Sequence, residues 1–208
     1  TLLAVSKTFP IAAVDAVAAA GQHAFGENYA QEGIEKAIAR PDLEWHFIGP
    51  LQSNKTRGIA EHFAWVHTVD RMKVAERLSA QRPESMPPLQ VCIQVNISNE
   101  DSKSGCAPAE ALALCQAVSL LPRLRLRGLM AIPEATNDLI TQRRHFGALR
   151  QLMADINASD PLLKLDTLSM GMSDDLEAAI AEGATIVRVG SAIFGRRQYT
   201  HSPESSES

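Results

Sequence analysis

Short apolar runs alternate with amphipathic stretches along almost the whole chain. Eight runs have the character of buried strands, and each of the first seven is followed by a stretch of helical period. The predicted strands lie at about 2–6, 23–26, 45–48, 65–69, 90–97, 124–132, 166–169 and 185–189, and the predicted helices at about 11–20, 29–39, 54–62, 71–81, 109–121, 139–157 and 174–182. Gly21 and Gly183 follow two of the helices, where a left-handed cap favours glycine. This alternation predicts βαβ units and a parallel sheet.

Eight βα units are the number that closes a (β/α)8 barrel of TIM type. The 208 residues lie near the short end of the range, roughly 200 to 400, that such barrels occupy. An open doubly wound sheet is the alternative, but no GxGxxG follows the first strand and the units run without a break. We therefore expect a single α/β barrel over residues 1–200 and a disordered polar tail at 201–208.

Composition and charge argue against some classes of binding partner. The net charge of −4 and the isoelectric point near 5.9 argue against a nucleic acid or an anionic membrane. Cys92, Cys106 and Cys115 have no CxxC spacing, which indicates reduced thiols in a cytoplasmic protein. No metal-binding, membrane-spanning or signal-peptide pattern is present in the sequence. We expect the natural protein to begin further upstream, because the chain opens with Thr1 instead of methionine.

The apolar run of the opening stretch, TLLAVSKTFP, ends at Lys7. If residues 2–6 form a buried strand, the Lys7 amine lies where that strand leaves the sheet. The functional groups of such barrels come from these carboxyl ends of strands. The alternative is an ordinary solvated lysine, since lysine is almost never buried without a partner.

Glycine and serine concentrate after the last two predicted strands. The seventh strand runs into SMGMS at 169–173, and the eighth into RVGS at 188–191. TIM-type barrels bind phosphate with these two loops and an adjoining helix start, where free N–H groups favour an anion. The alternative is that Ser173 or Asp174 only caps the next helix, with Glu177 completing a capping box. The charge of Asp174 also opposes an anion.

A phosphate site beside a lysine on the first strand fits a phosphorylated aldehyde. The Lys7 amine would form an imine with the aldehyde while the two loops hold the phosphate. Pyridoxal phosphate (PLP) combines both groups and is therefore the predicted cofactor. Imine formation requires a neutral amine, which partial burial of Lys7 favours.

Seven motifs resemble those of a known family. They are AVSKTFP, FGENYAQE, WHFIGPLQSNK, VNISNEDSKSG, RGLMAIP, LSMGMSDDLEAAI and VRVGSAIFG. As a set, spread over essentially the whole chain, they resemble the YggS/PROSC family of pyridoxal phosphate homeostasis proteins, which is itself similar to the N-terminal barrel of alanine racemase. The chain departs from that family in lacking the helix that usually precedes the AVSK strand. The segment 39–42 before the WHFIG motif is also shorter than the resemblance leads us to expect.

The resemblance implies the roles of six residues in a cofactor site, to which we assign no metal ion and no catalytic residue. It implies that Lys7 forms the PLP aldimine, that Asn28 lies near the cofactor and that Arg188 faces the pyridine nitrogen. The implied phosphate ligands are Ser173, Gly190 and Ser191.

Arg188 favours binding over turnover. A guanidinium can only donate to the pyridine nitrogen, which keeps that nitrogen unprotonated and weakens the ring as an electron sink. Alanine racemase, by resemblance, adds a tyrosine from a separate domain of its partner subunit. The tyrosines of this chain, Tyr29 and Tyr199, have no obvious claim to that role. We therefore predict a protein of PLP homeostasis, a carrier or buffer with little or no turnover.

Two alternatives stay open. One is a weak PLP-dependent amino-acid racemase that uses Lys7 as its base, and the other is a phosphate-ligand binder with no covalent step. For the carrier, PLP-dependent apoenzymes are the candidate recipients of PLP. A monomer or a weak dimer is the expected assembly.

Three further groups of polar residues are weaker candidates. Residues 52–55 open a helix and could reach the cofactor rim, although a polar helix start is the commoner explanation. Lys103, in the polar loop 98–105, is either a second PLP contact or a solvated charge. His46 and His67 fall in or beside strands, where a hydrogen-bonded core histidine is the expected role.

Overall fold

Eight parallel strands form the centre of the fold. The computed structural model describes residues 1–98 and 104–195, so the predicted tail 201–208, Lys103 and Tyr199 lie outside the described residues. The strands are β1 (Leu2–Val5), β2 (Ala24–Glu27), β3 (Glu44–Phe47), β4 (Trp65–Val69), β5 (Leu89–Gln94), β6 (Leu124–Met130), β7 (Thr167–Ser169) and β8 (Val187–Val189). Each lies where the sequence predicts a strand, with shifts of a few residues at the ends.

Helices connect the strands. They are α1 (Ile11–Ala19), α2 (Ala30–Ala39), α3 (Thr56–His62), α4 (Met72–Gln81), α5 (Ala111–Ser119), α6 (Leu139–Ser159), α7 (Leu176–Ala181) and α8 (Ser191–Phe194), with a 3₁₀ turn at Pro108–Glu110 before α5. The first seven match the predicted helices, whereas α8 is a single turn that the sequence pattern does not predict. Within the described part of the chain, no helix is both long and apolar enough to cross a membrane.

β5 ends at Gln94, earlier than the predicted end at residue 97. Beyond it, Val95 forms an isolated bridge with Cys106. The Asn96 amide donates to the Cys106 carbonyl, and the Cys106 amide donates to the Gln94 carbonyl, both at 2.9 Å. An apolar run predicts burial but not which neighbour takes its backbone hydrogen bonds.

The sheet closes into a barrel. Its strands follow the order β7-β6-β5-β4-β3-β2-β1-β8, with parallel pairing throughout. At the seam between β7 and β8, Ser169 bridges Ile186, and the Met170 amide donates to the Ile186 carbonyl at 3.1 Å. The Arg188 amide donates to the Gly171 carbonyl at 3.0 Å. These bonds exclude the open doubly wound sheet and confirm the (β/α)8 barrel.

Alternate strand residues fill two separate layers. The barrel interior contains Leu3, Val5, Ala24, Ile48, Trp65, Cys92, Met130 and Ile186. The layer between strands and helices includes Ala4, Phe25, Phe47, Val66 and Ile93. On β1 the inward residues are Leu3 and Val5, so the period of two carries Lys7 into the same inward row just past the end of the strand.

Gly21 and Gly183 end helices as predicted. Their φ angles are 99° and 88°. The Gly21 amide donates to the Ala18 carbonyl at 2.9 Å, and the Gly183 amide donates to the Ile180 carbonyl at 3.0 Å. Only glycine adopts this left-handed conformation without strain, so each turn stops its helix and redirects the chain towards the next strand.

The three thiols are buried and free of disulfides, as the cysteine spacing predicts. Burial raises the pKa of Cys92 to about 12 and that of Cys106 to about 11. Both groups are therefore protonated and unreactive at neutral pH.

Candidate functional site

The carboxyl ends of the strands open onto a cavity of about 440 Å³, a size typical of small-molecule sites. All six residues predicted to bind a cofactor line it, namely Lys7, Asn28, Ser173, Arg188, Gly190 and Ser191. The remaining lining residues are Val5, Phe9, Ile48, Ile132, Met172, Asp174 and Gly195. The barrel thus brings together residues from its first and last strands, while their roles towards a cofactor stay predictions.

Lys7 continues the inward row of β1 and is half buried in the cavity wall. Thr8 follows it with a φ of 67°, a left-handed conformation that a β-branched residue adopts only where its surroundings impose it. The Thr8 amide donates to Glu32 Oε1 at 2.6 Å, which holds this turn. Lys7 is therefore placed at the cavity by a fixed backbone and is not an exposed edge charge.

A buried ionic cluster holds the end of β1 from the helix side. Lys36 Nζ donates to Glu27 Oε1, Glu32 Oε1 and the Ser6 carbonyl, each at 2.7 Å, and the Ser6 hydroxyl donates to Glu27 Oε1 at 2.6 Å. Burial raises the pKa of Glu27, and the hydrogen bonds from Lys36 and Ser6 counter that effect. Sequence reasoning missed this cluster. Its signal is one acidic and one basic residue on the buried faces of β2 and α2.

The loops after β7 and β8 share the cavity wall. Ser173 comes from the first loop, and Gly190 and Ser191 come from the second. Ser191 begins α8, where the Ile193 amide donates to the Gly190 carbonyl at 2.9 Å. The Ser191 and Ala192 amides, which come before this bond, have no partner within the turn, so this edge of the cavity suits an anion.

The capping alternative for Ser173 and Asp174 is wrong. α7 begins at Leu176, later than predicted, and Asp175 is the residue that precedes it. The Asp175 carboxylate accepts the Met172 amide at 2.6 Å and so closes a turn before the helix. Ser173 and Asp174 are exposed in the cavity wall, where Asp174 still opposes an anion.

Arg188 brings a buried cation to the cavity. Its Nη1 donates to Ser169 Oγ at 2.9 Å, and its Nη2 donates to the Ala131 carbonyl at 3.1 Å. Burial lowers the pKa of Arg188 to about 10, and the charge of Asp175 counters that effect. The guanidinium therefore stays protonated at neutral pH and can only donate to a group in the cavity.

Asn28 offers the cavity an unsatisfied polar atom. Its Oδ1 is buried and has no hydrogen-bond partner among the described residues. Its backbone is fixed because Gly49 packs directly against it: a Cβ at Gly49 would overlap the Asn28 carbonyl oxygen. Buried polar atoms in native proteins are almost always hydrogen-bonded, so a donor on a bound ligand fits this position.

A hydrogen-bonded chain of side chains crosses the barrel interior beneath the cavity. Glu44 Oε1 lies 2.9 Å from His46 Nε2, and His46 Nδ1 lies 2.9 Å from His67 Nε2. His67 Nδ1 lies 2.7 Å from Ser169 Oγ, which accepts from Arg188. The two histidines are buried and hydrogen-bonded, as predicted, but sequence reasoning missed the chain. Its signal is one inward-facing histidine on each of the neighbouring strands β3 and β4.

Two predicted candidates are not brought to the cavity. Residues 52–55 are not among the described residues that line it, and they form the turn before α3, which begins at Thr56. Tyr29 precedes α2, is 55% exposed and does not line the cavity either.

The buried histidines predict that stability falls in mild acid. Burial lowers the pKa of His67 well below 6.5, and it also lowers that of His46. Below about pH 6.5 the unfolded chain therefore binds protons that the native chain does not, and each such histidine costs up to about 1.4 kcal/mol per pH unit. Urea unfolding should show this loss between pH 6.5 and 5, above the range near pH 4 where carboxylates titrate.

The matched variants are His67→Gln and His23→Gln, because His23 is exposed. The first should flatten the pH dependence of the unfolding free energy and the second should leave it unchanged. An equal pH dependence of the unfolding free energy in the unsubstituted protein and in both variants would contradict the prediction.

Together, the closed eight-stranded barrel and the lysine-bearing mouth define a (β/α)8 barrel of the alanine racemase N-terminal type. The profile described as "Alanine racemase, N-terminal domain" matches residues 1–198. The chain belongs to this family, and within it to the group of pyridoxal phosphate homeostasis proteins.

Two relatives carry that group name. The pyridoxal phosphate homeostasis protein of Pseudomonas aeruginosa is 63% identical over 200 residues, which cover 95% of this chain and 85% of that protein. The protein of the same name from Escherichia coli K12 is 55% identical over 208 residues, covering 96% of this chain and 87% of that one.

Solved structures show the same barrel. PipY of Synechococcus elongatus without PLP has a TM-score of 0.87 at 42% identity, covering 94% of this chain and 92% of its own. The form of PipY with PLP bound has a TM-score of 0.85 at 41% identity, with the same coverage. An alanine racemase of Clostridium difficile, at 13% identity and a TM-score of 0.79, shares the fold over 96% of this chain and 53% of its own.

Proposed function

We propose that the protein binds PLP covalently at the barrel mouth, with Lys7 as the attachment point. The observation that carries this proposal is that Lys7 lines the same cavity as the glycine- and serine-rich loops and the buried Arg188. In the binding step the Lys7 nitrogen bonds to the aldehyde carbon, and the carbonyl oxygen leaves as water. The names of the relatives and the PLP-bound form of PipY support the choice of ligand.

The other lining residues match the remaining groups of PLP. Ser173, Gly190 and Ser191 hold the phosphate with hydroxyl and backbone donors, and Asn28 Oδ1 accepts from a donor on the ring. Arg188 donates to the pyridine nitrogen, which leaves that nitrogen unprotonated. PLP supplies an electrophilic aldehyde and an electron sink when bound.

The cavity favours holding PLP over turning over a substrate. Among the described residues that line it, the ionisable groups are Lys7, Asp174 and Arg188. Two-base chemistry on an amino acid needs a second proton carrier on the opposite face of the substrate. Asp174 is exposed at the rim, and Arg188 does not release its proton at neutral pH. We therefore propose a carrier that keeps the reactive aldehyde sequestered, with PLP-dependent apoenzymes as its recipients.

The thiols bear on the compartment in which the carrier works. We propose that it works in the cytoplasm, as a monomer or weak dimer. Three free, buried thiols support a reducing compartment, where disulfides are rare.

The decisive experiment is trapping of the complex with borohydride. The protein mixed with PLP should show a visible absorption band, and reduction should abolish the band and add one phosphopyridoxyl group at Lys7 in the peptide map. Reduction at another lysine, or no adduct, would overturn the proposal. Incubation of the complex with L-amino acids in heavy water then separates the carrier from a racemase. Rapid entry of deuterium at the α carbon would favour the enzyme.

The phosphate assignment makes a separate prediction. Replacing Ser191 with alanine should weaken PLP binding about tenfold, because a hydrogen bond to a charged group is worth roughly 1.5–3 kcal/mol. Pyridoxal, which has the aldehyde but no phosphate, should bind the variant and the original protein equally in spectroscopic titrations. If the affinity for pyridoxal falls as much as that for PLP, Ser191 does not contact the phosphate.

A further inference from the structure

The hydrogen-bonded chain of side chains from Glu44 to Arg188 has only one consistent arrangement of protons. The Glu44 carboxylate can only accept from His46 Nε2, and Arg188 can only donate to Ser169 Oγ, so with both rings neutral the Ser169 hydroxyl donates to His67 Nδ1. His67 must then carry its proton on Nε2 and donate to His46 Nδ1. His46 in turn carries its proton on Nε2 and donates to the Glu44 carboxylate.

The opposite arrangement fails at the Glu44 end. It would aim the lone pair of His46 Nε2 at the Glu44 carboxylate, 2.9 Å away. At the other end the Ser169 oxygen has two lone pairs and could accept from both Arg188 and His67, so the carboxylate decides the direction. Every donor in the chain therefore points away from the guanidinium and towards the carboxylate.

The two ends of the chain lie in different surroundings. Arg188 is 3% exposed and lines the cavity, whereas the side chain of Glu44 is 48% exposed. His46, His67 and Ser169 between them are at most 1% exposed. A chain of aligned hydrogen bonds in a low-dielectric interior strengthens each member, so a charge at one end is felt at the other.

We propose that Glu44, His46 and His67 are positioning residues, which act through Ser169 to fix the orientation of the Arg188 guanidinium at the cavity. For the pyridine nitrogen of PLP, this inference rests on the proposed function. The inference about the orientation of Arg188 itself does not depend on a bound ligand. The negative charge of Glu44 acts on Arg188 through the hydrogen-bonded chain. It thereby sets the strength of the hydrogen bond that the guanidinium donates into the cavity.

Other charged groups face the outer end of this chain. Arg127 of β6 lies over the Trp65 ring at 4.9 Å, and that ring stacks on His46 at 5.3 Å. Arg127 pairs with Asp166 at 2.9 Å. The hydrogen bond from His46 lowers the pKa of Glu44, burial counters that effect, and the charge of Arg127 adds a smaller lowering, so the carboxylate is ionised at neutral pH. The Glu44 end of the hydrogen-bonded chain, which accepts the last hydrogen bond, is therefore negatively charged.

The first test uses the protein freed of PLP. Nitrogen-15 NMR of the imidazole rings at pH 7 should find His46 and His67 both neutral, with the proton on Nε2. In Glu44→Gln, exchange of the Arg188 guanidinium protons should accelerate about fivefold, the effect of replacing a charged hydrogen-bond acceptor with a neutral one. The control is Glu84→Gln, since Glu84 is an exposed carboxylate that pairs with Arg123. A proton on Nδ1 of either ring, or equal exchange in both variants, would overturn the proposal.

The second test adds PLP labelled with nitrogen-15 in its ring. Glu44→Gln should move the pyridine nitrogen resonance and weaken PLP binding about threefold to tenfold, while Glu84→Gln should change neither. An unmoved resonance in a protein that binds PLP would overturn the link to the cofactor. Failure of the unsubstituted protein to bind PLP would overturn the proposed function, and the first test would still decide the positioning of Arg188.

Discussion

Replacing Lys7 with alanine is expected to abolish covalent PLP binding. The variant should show no visible band with PLP and no phosphopyridoxyl adduct after borohydride reduction, because no other amine lines the described cavity. Non-covalent binding through the phosphate loops and Arg188 should persist, with an affinity lower by at least about tenfold. Absorption spectra and equilibrium dialysis measure the two effects separately.

The matched control is Lys55→Ala. Lys55 is an exposed lysine in the turn before α3 and does not line the cavity. This variant should keep the absorption band, the adduct and the affinity of the unsubstituted protein. A reduced adduct that persists in Lys7→Ala, or that disappears in Lys55→Ala, would show that PLP is attached elsewhere.

Replacing Gly49 with alanine is expected to destabilise the protein by at least about 2 kcal/mol. The added Cβ would overlap the Asn28 carbonyl oxygen, and neither backbone can move freely. The Gly49 carbonyl accepts the Thr68 hydroxyl at 2.7 Å, and β2 and β3 are paired just before this point. Urea unfolding should show the loss of stability. Any folded fraction should bind PLP more weakly, because Asn28 would be displaced from the cavity wall.

Gly147→Ala provides the comparison for this loss. Gly147 lies within α6, and an added Cβ there would meet only the end of a side chain, Glu182 Oε2, at 3.2 Å. Alanine has the higher helix propensity, so the change in unfolding free energy should stay within about 1 kcal/mol. Equal losses in the two variants would mean that contact with the Asn28 backbone is not what Gly49 provides.

The periodicity of the sequence predicts the barrel and the location of its mouth. Eight apolar runs fix the number of strands, and the inward row Leu3, Val5 and Lys7 places the amine at the cavity. The loop compositions after β7 and β8 place Ser173 and Ser191 at the same opening. These predictions succeed because each depends on local pattern and on the general geometry of parallel barrels.

Local sequence patterns do not predict contacts between residues that are distant in the sequence. Nothing local relates His67 on β4 to Ser169, which lies three strands away on β7, or pairs Lys36 with Glu27. The single turn α8 is too short to show a helical period. The start of α7 depends on Asp175 accepting a backbone amide, which the capping pattern of Asp174 and Glu177 does not reveal.

The pairing of β1 with β8 has a consequence for biosynthesis. Lys7 follows the first strand, whereas Gly190 and Ser191, which line the same cavity, are added to the growing chain only after the eighth strand. A nascent chain therefore has no complete pocket until its last strand docks beside its first. Bound PLP would then stabilise the completed barrel relative to the unfolded chain, and this stabilisation would grow with the concentration of PLP in the cell.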